Sequence, residues 1–296
     1  KAFVHYNAFS RAGWLEYFKL KNKFSIIFGD IRDYDSVYKA MQGCEQVYHL
    51  AALIGIPYSY VTPLAYIKTN VEGTYNLLEA AKHLNLKKVI VTSTSETYGT
   101  AQYVPIDEKH PACGQSPYAA TKIAADQLAQ SYYLSFGLPV KIVRPFNTYG
   151  PRQSARAIIP TIISQLLLGK KEINLGNTSP TRDFTYVKDT ANGFLEIANS
   201  KNGWGEPVNI GMNEEISVGD LAVLIATLAK KKVKIKKEGL RIRPGRSEVE
   251  RLRCDHARLI KSTNWKPRYN LESGILETIE FIKSNLSLYK PENYNI

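Results

Sequence analysis

Lys88-Val-Ile-Val-Thr-Ser93, followed directly by Thr94-Ser-Glu-Thr-Tyr-Gly99, is the stretch of this sequence that most constrains the fold. Its first half is a short β-branched run, which is typical of a strand buried on both faces of a parallel sheet. Side chains alternate along a strand, so Thr94 and Glu96 are expected to point the same way if the extended conformation continues past Ser93. The stretch therefore predicts a buried strand that ends in polar side chains able to share one substrate.

A helix is predicted to begin after a short loop, at Ser116-Pro117. Serine is a good N-cap, and proline is favoured at the first helical position. Tyr118 and Lys122 are four residues apart in this helix and lie on one face, where the ammonium group is expected to lower the pKa of the phenol. A phenol tuned toward neutrality can act as a general base. A Tyr-x-x-x-Lys pair is common by chance, so its meaning depends on its place after the buried strand.

Strand-like and helical patterns alternate through the first half of the chain. The strand-like runs are 2–6, 24–28, 46–50, 88–93 and 140–144, and the helical patterns are 35–42, 63–84 and 117–136. This rhythm predicts an α/β fold with a Rossmann-like, doubly wound parallel sheet, in which ligands bind beyond the carboxyl ends of the strands. We expect a dinucleotide-binding domain over residues 1–150. A smaller, mainly substrate-binding α/β lobe is expected over residues 151–296, with some elements returning to the first domain.

Composition favours a soluble enzyme. The chain has 296 residues, of which 44% are hydrophobic, so it can bury a substantial core. No apolar run approaches the ~20 residues needed to cross a membrane, and no signal peptide is visible, so we expect a cytoplasmic protein without a membrane partner. The three cysteines and five histidines lack metal-ligand spacing, which predicts neither a disulfide framework nor a metal site.

The net charge of +12 raises the question of nucleic-acid binding. The most basic run is 230–237, in which lysines alternate with Val233 and Ile235. That alternation is typical of an amphipathic edge strand shielded by lysines, and we favour this interpretation over a nucleic-acid partner. Basic charge also suits a substrate that carries a diphosphate.

A series of ordered motifs runs along nearly the whole chain. The motifs are 29–33, 49–52, 69–74, 93–99, 118–122, 144–152 and 182–187. In these motifs the chain resembles the extended short-chain dehydrogenases/reductases, the NAD-dependent epimerase/dehydratase family, and within it the nucleotide-sugar 4,6-dehydratases. The stretches 51–58, 98–107 and 151–160 resemble more narrowly the bacterial dehydratases that act on UDP- or GDP-linked N-acetylglucosamine in legionaminic acid synthesis.

The resemblance implies a role for each polar residue of the opening motifs. Tyr118, assisted by Lys122, would take the proton from the sugar O4 while a hydride leaves C4 for the nicotinamide. Glu96 would then remove the C5 proton, water would leave from C6, and the hydride would return to C6. Thr94 would hydrogen-bond O4 and polarise the developing carbonyl. Because Ser95 stands where dTDP-glucose dehydratases carry an aspartic acid, Glu96 is expected to carry the proton to the departing hydroxyl as well.

The same resemblance implies the ligand contacts. The expected cofactor contacts are Asn7, Asp30, Ile31, Leu50, Ala51, Ala52, Asn70, Ser93, Tyr118, Lys122 and Pro145. The expected substrate contacts are Ser95, Asn147, Arg152, Arg182, Arg243 and Glu248. NAD is favoured and NADP is left open, since Asn7 stands where an acid usually selects NAD and Arg11 lies nearby. The likeness of helices 63–84 and 117–136 to interface helices of relatives implies a homodimer or a higher homo-oligomer.

One departure from the family pattern concerns the beginning of the chain. The Gly-x-x-Gly-x-x-Gly turn that approaches the cofactor pyrophosphate is not in the sequence, and it would precede residues 2–4. We therefore expect that the first strand, its glycine turn and the first helix are missing from this segment. A segment of this kind is expected to bind the cofactor poorly.

Other functions share parts of this pattern. A UDP-glucuronate decarboxylase also resembles Thr-Ser-Glu followed by Tyr-x-x-x-Lys, and a nucleotide-sugar 4-epimerase would leave Glu96 without a task. A non-catalytic dinucleotide sensor, or a nucleic-acid-binding relative, would have no need of Thr94, Glu96, Tyr118 and Lys122 together. The mass of the product separates the enzymes, because it records loss of water, loss of carbon dioxide or no change.

Overall fold

Parallel strands followed by helices make up the first half of the chain in the computed structural model, which describes residues 1–18, 21–232 and 234–290. The strands are β1 (Ala2–His5), β2 (Ile26–Gly29), β3 (Gln46–His49), β4 (Lys88–Thr92) and β5 (Val140–Pro145). The helices are α1 (Tyr34–Met41), α2 (Ile56–Val61), α3 (Pro63–Tyr66), α4 (Gly73–His83) and α5 (Pro117–Phe136). Short 3-10 helices cover Gly13–Tyr17, Lys21–Lys23 and Ser95–Tyr98, and a π-helical segment covers Ile67–Glu72.

Shorter strands and five further α-helices follow among the described residues. The strands are β6 (Asn147–Tyr149), β7 (Glu172–Leu175), β8 (Thr181–Arg182), β9 (Phe184–Tyr186), β10 (Pro207–Ile210), β11 (Ile216–Ser217) and β12 (Lys234–Lys237). The remaining α-helices described are α6 (Ile158–Leu167), α7 (Val187–Asn199), α8 (Val218–Leu228), α9 (Ala257–Ser262) and α10 (Leu271–Ser284). Further 3-10 helices cover Gly239–Arg241, Gly245–Ser247 and Leu286–Tyr289.

The central sheet is parallel, with the strand order β10-β5-β4-β3. Val89 and Val91 of β4 pack against α4 and α5 on one face, whereas Ile90 packs against α7 and α9 on the other. These three side chains are completely buried, as expected for a strand covered on both faces. The predicted Rossmann-like, doubly wound sheet is confirmed.

Strands β1 and β2 form a parallel pair of their own. Within the described residues, neither strand pairs with the four-stranded sheet. Helix α1 links them to the rest of the domain by packing against α4, where Val37 and Met41 join the same core as Leu77 and Leu78.

Strand β10 returns to the first sheet from the second half of the chain. Val208 lies opposite Val143 of β5, and the returning segment contributes Trp265 and Leu259 to the core around Ile90. The sheet that positions the site is therefore completed by residues far along the sequence.

A second core lies between α6, α8 and α10. Ile162, Leu221, Ile225 and Ile275 are fully buried in it. Strand β12 pairs with β7 beside this core, with Ile235 packed inward and the neighbouring lysine side chains exposed. The predicted lysine-shielded edge strand is confirmed over Lys234–Lys237, whereas Val233 lies outside the described residues.

The helix predicted over residues 63–84 differs in detail. It is divided into α3 and α4 by the π-helical segment, and such wide turns are frequent at functional sites. Asn70 lies in this segment, and its buried amide bonds both the N–H and the C=O of Leu53. A hydropathy pattern does not report such a local insertion. Among the described helices, none is both long and apolar enough to cross a membrane.

Candidate active site

The end of β4 presents the first group of polar side chains. Thr94 is extended, with φ −161° and ψ 152°, and its Oγ1 accepts a hydrogen bond from the backbone N–H of Glu96 at 3.3 Å. This cap turns the chain into the 3-10 helix Ser95–Tyr98, so the extended conformation continues past Ser93 only through Thr94 and does not reach Glu96. Gly99 ends the turn at φ +65°, where a Cβ would lie only 2.8 Å from the carbonyl oxygen of Cys113.

The first turn of α5 presents the second group. Ser116 is the N-cap and accepts a hydrogen bond from the N–H of Ala119 at 3.1 Å, with proline at the first helical position as predicted. This start places Tyr118 beside the end of β4, where Thr94 hydrogen-bonds its phenol and the Glu96 charge acts on it. The side chains of Thr94, Glu96 and Tyr118 are thus brought together.

The electrostatics of Tyr118 differ from the prediction. Burial raises the pKa of Tyr118 well above its ordinary value, the hydrogen bond from Thr94 opposes this rise, and the charge of Glu96 adds to it. The predicted lowering by Lys122 is wrong for this geometry, because desolvation of the phenol is the dominant effect. The Lys122 ammonium instead donates to the carbonyl oxygen of Thr92 at 2.5 Å.

Lys122 and His49 are two buried titratable side chains of this site. Burial lowers the pKa of Lys122, and the carboxylate of Asp126 opposes that change. Burial also lowers the pKa of His49 to about 3, and the nearby Lys122 lowers it further. His49 is therefore a neutral imidazole that shares a hydrogen bond of 3.0 Å with the Thr74 hydroxyl.

Arginines from two segments pair with one carboxylate, that of Glu248. Arg182 Nη2 lies 3.3 Å from Glu248 Oε1, and Arg243 Nη1 lies 3.4 Å from the same oxygen. Burial lowers the pKa of Arg182, whereas the charges of Glu96 and Glu248 raise it. Two guanidinium groups that converge on one anion form a site suited to phosphate oxygens.

A set of hydrogen bonds that the sequence did not reveal holds the 3-10 helix Gly245–Ser247 against the start of α5. The Ser247 hydroxyl donates to the carbonyl oxygen of Gln115 at 2.6 Å and shares a 2.6 Å hydrogen bond with the Tyr60 hydroxyl. Gln115 Nε2 donates to the carbonyl oxygen of Arg246 at 3.0 Å. Arg243 and Glu248 are thereby held close to the start of α5.

The other predicted substrate contacts divide into two groups. Ser95 is buried in the 3-10 helix, and Asn147 carries a buried Oδ1 that accepts no hydrogen bond from any described residue. Arg152 adopts φ +71°, and its guanidinium lies 5.9 Å from the Phe281 ring centroid, beside a cavity of about 330 Å³. None of its described contacts joins it to Arg182 or Arg243.

The predicted cofactor contacts at the strand ends are partly open to solvent. Leu50 is 67% exposed at the carboxyl end of β3, with Ala51 exposed and Ala52 half-buried beside it. Asp30 follows β2, and its ion pair with Arg32 lowers the pKa of Asp30 to about 2. An apolar surface beside a permanent carboxylate, at this edge of a parallel sheet, fits a dinucleotide.

The remaining predicted cofactor contacts are engaged within the protein. Asn7 hydrogen-bonds the backbone N–H and C=O of Arg11, and Ser93 donates to Asp126 at 2.7 Å. Ile31 and Asn70 are buried, and Pro145 is half-buried at the end of β5. The cofactor contacts assigned to these five residues stay predictions.

Comparisons with known proteins agree with this arrangement. Residues 3–278 match the family model described as GDP-mannose 4,6 dehydratase. The chain is 33% identical over 268 residues to a putative UDP-glucose 4-epimerase of Methanocaldococcus jannaschii, covering 89% of this chain and 85% of that protein. It is 32% identical over 277 residues to the dTDP-D-glucose 4,6-dehydratase of Mus musculus, covering 91% and 77%.

A solved structure is similar over nearly the whole fold. The UDP-glucuronic acid 4-epimerase of Bacillus cereus, in complex with UDP-glucuronic acid and NAD, superposes with a TM-score of 0.87 at 29% identity, covering 96% of this chain and 90% of that one. The prediction of NAD agrees with this neighbour. With the family model matching residues 3–278 and both kinds of relative this similar, the chain belongs to the GDP-mannose 4,6-dehydratase family of extended short-chain dehydrogenases/reductases, whose members here are nucleotide-sugar 4,6-dehydratases and 4-epimerases.

Proposed function

We propose that this protein is a nucleotide-sugar 4,6-dehydratase, a hydro-lyase that converts a nucleotide-linked N-acetylglucosamine-type hexose to its 4-keto-6-deoxy sugar. The observation that carries the proposal is the position of Glu96. Its carboxylate is only 9% exposed and lies close enough to both Tyr118 and Arg182 to perturb their pKa values. Exchange of a proton at O4 requires the tyrosine alone, whereas elimination requires a second acid–base group of this kind.

The residues divide the proton transfers between them. Tyr118 accepts the O4 proton as the 4-ketone forms, and Thr94, whose hydroxyl bonds the phenol in the protein alone, turns that hydroxyl to donate to the developing carbonyl oxygen. Glu96 removes the C5 proton, which the adjacent ketone makes acidic. Because Ser95 cannot act as a carboxylic acid, Glu96 passes that proton to the hydroxyl that leaves C6 as water. When the hydride adds to C6, Glu96, reprotonated from solvent, gives a proton back to C5, and Tyr118 releases the O4 proton to solvent.

NAD is the proposed cofactor, and when bound it supplies a nicotinamide that accepts and returns a hydride. The protein is proposed to bind NAD beyond the ends of β2 and β3. Asp30 would lie toward the adenosine, and the exposed Leu50-Ala51-Ala52 segment would contact the middle of the cofactor. Lys122, buried one turn after Tyr118 in the same helix, is proposed to supply the positive charge that favours deprotonation of the phenol.

Arg182, Arg243 and Glu248 are proposed to bind the nucleotide diphosphate. Glu248 occupies both guanidinium groups in the protein alone, so the diphosphate oxygens would replace or share its contacts. The acetamido sugar is proposed from the resemblance of residues 51–58, 98–107 and 151–160 to dehydratases of legionaminic acid synthesis.

The test is to incubate the enzyme with NAD and a panel of UDP- and GDP-linked hexoses, with and without a 2-acetamido group, and to analyse products by mass spectrometry. We expect loss of water from an acetamido substrate. Release of carbon dioxide from a UDP-glucuronate substrate, or a product of unchanged mass with every sugar, contradicts the proposal.

A 4-epimerase is the second candidate, favoured by the similarity to epimerases of Methanocaldococcus jannaschii and Bacillus cereus. Glu96→Gln separates the two functions. It is expected to leave C4 oxidation intact and abolish 6-deoxy product in a dehydratase, whereas an epimerase would retain near-normal turnover. Glu250→Gln, at an exposed carboxylate, is the matched control.

A homodimer formed through the α2–α5 surface is also proposed. Val61 on α2, Leu64 on α3 and Ile67 in the π-helical segment are exposed. Leu134 and Phe136 are exposed at the end of α5. Exposed apolar groups of this density are characteristic of association surfaces. Leu64→Asp is expected to yield monomers in sedimentation equilibrium, whereas Leu240→Asp, at an exposed leucine outside this surface, should leave the mass unchanged.

A further inference from the structure

Asp126 is a buried carboxylate that the proposed chemistry does not use. It lies on α5 and is 2% exposed. Its Oδ2 accepts hydrogen bonds from Ser93 Oγ at 2.7 Å and from Arg144 Nε and Nη2 at 3.0 and 2.8 Å. A buried aspartate that accepts three hydrogen bonds on one oxygen is fixed in orientation.

The other oxygen of Asp126 faces a different environment. Oδ1 is buried and accepts no hydrogen bond from any residue that the structure describes. Lys122 lies four residues before Asp126, so the two side chains share one face of the helix. The Lys122 ammonium donates to the carbonyl oxygen of Thr92, the residue before Ser93. The lysine and the aspartate therefore both hydrogen-bond residues at the end of β4, from successive turns of α5.

The partner of Asp126 extends the network toward Glu96. Arg144 Nη1 donates to the Tyr98 hydroxyl at 3.0 Å, and that hydroxyl donates to Asn209 Oδ1 at 2.8 Å. Tyr98 is completely buried in the same 3-10 helix that carries Glu96. One chain of hydrogen bonds thus joins α5, β4, β5, β10 and the segment with the proposed acid–base residue.

The carboxylate of Asp126 favours the ammonium form of Lys122. Arg144 is paired with the same carboxylate at 2.8 Å, and by Coulomb's law its positive charge is expected to oppose that effect. The titratable and charged groups around these two side chains are Tyr118 on α5, His49 on β3, Arg144 on β5, and Glu96 and Tyr98 in the 3-10 helix.

From this geometry we propose that Asp126 is a positioning residue of the catalytic centre: paired with Arg144, it holds Ser93 at the end of β4 and fixes the charge environment in which Lys122 assists Tyr118. The catalytic meaning of this assignment rests on the proposed function, but the coupling between Asp126 and Lys122 does not. It is a property of the protein that can be measured without turnover.

The test measures the Lys122 pKa directly, by NMR titration of protein labelled with 13C at lysine Cε. The Lys122 signal is identified by its loss in Lys122→Gln. Asp126→Asn is expected to lower the pKa of Lys122 by about one pH unit, and Arg144→Met to raise it, because each removes one of two opposing charges. Tyr98→Phe breaks the network without changing charge and is the control that leaves the value in place.

The double variant Asp126→Asn/Arg144→Met removes both members of the buried ion pair, so neither is left without the other and its folding is less at risk than that of either single variant. It is expected to return the Lys122 pKa toward the wild-type value. Shifts of the same sign in both single variants, or no shift in whichever of them folds, would overturn the proposal. A double variant whose Lys122 pKa lies about one pH unit below the wild-type value would overturn the proposal as well.

Turnover supplies an independent readout. The alkaline limb of the kcat profile against pH should move in the same direction as the Lys122 pKa in each single variant. If the NMR shifts occur but no nucleotide sugar is dehydrated by the wild-type enzyme, the proposed function fails while the coupling stands. If the enzyme turns over and the limb does not move, Asp126 has only a structural role and the positioning assignment is wrong.

Discussion

The proposed catalytic side of this molecule and its proposed cofactor side are built differently. Around Glu96 and Tyr118 the polar groups are buried and hydrogen-bonded to one another. Beyond β1 and β3, by contrast, Leu50 is 67% exposed and Phe9 is 84% exposed. Geometry on the catalytic side is therefore set by the chain's own hydrogen bonds, whereas the cofactor side offers apolar surface whose burial would contribute to binding a large ligand.

The largest expected effect comes from the centre of the catalytic side. Tyr118→Phe removes the hydroxyl that is to accept the O4 proton and should lower kcat by about 10³-fold or more, within the range for general acid–base groups. Stopped-flow absorbance of the reduced nicotinamide measures the C4 oxidation step. Tyr66→Phe, at a neighbouring buried tyrosine, is the matched control. Comparable losses in both variants would contradict a specific role for Tyr118.

Glu96→Gln tests the second proposed proton-transfer group, because it removes the carboxylate charge and keeps the shape of the side chain. We expect 6-deoxy product to fall by about 10²-fold to 10³-fold while reduced nicotinamide accumulates. Product mass and absorbance, followed in the same reaction, measure the two steps separately. Near-normal product formation would remove Glu96 from the mechanism.

His49 lies where the two sides meet, and it predicts a pH dependence of stability. Its folded-state pKa of about 3 is below the unfolded value near 6.5, so its contribution to the free energy of unfolding is present above pH 6.5 and is lost as the pH falls toward 3. His49→Gln should reduce the loss of stability between about pH 7 and about pH 4 by roughly 3 kcal/mol. Urea denaturation at a series of pH values measures this free energy of unfolding.

His83→Gln is the control for that experiment, since His83 is exposed on α4. Its effect on the acid dependence should be much smaller than that of His49→Gln, because this imidazole lies at the surface. An equal effect of the two substitutions would mean that burial of His49 does not govern its titration.

The smallest effect is expected on the cofactor side. Leu50→Ala should change the free energy of unfolding by about 0.5 kcal/mol or less, because the side chain is exposed, yet weaken NAD binding by about tenfold through lost apolar contact. Leu78→Ala, at a fully buried leucine, should show the reverse, with a loss of about 2 to 5 kcal/mol in stability. Calorimetric titration and urea denaturation provide the two measurements.

The regular part of the fold was accessible from sequence because it depends on residues close together. The β-branched run of β4 and the Ser116-Pro117 start of α5 are local signals, and both elements formed where predicted. Short strands such as β8 and β11 were missed, because two residues carry no hydrophobic period. The bend after Thr94 was missed because it depends on one side-chain cap.

The same distinction holds within the site. The meeting of Thr94 with Tyr118 followed from strand and helix order. The contacts of Glu248 with Arg182 and of Ser247 with Gln115 join residues 66 and 132 positions apart, and no spacing rule indicates them. Asp126 could have been found, because it continues the four-residue spacing of Tyr118 and Lys122 by one more turn.

The return of β10 to the first sheet has a consequence for taking the protein apart. A fragment that ends at residue 150 would lose the edge strand beside β5 together with Trp265 and Leu259, leaving Ile90 and Val143 open to water. The chain crosses between its two cores more than once, so a single cut cannot release two self-sufficient modules. Access to the site should therefore depend on short segments such as 245–248 and not on a hinge between the first and second halves of the chain.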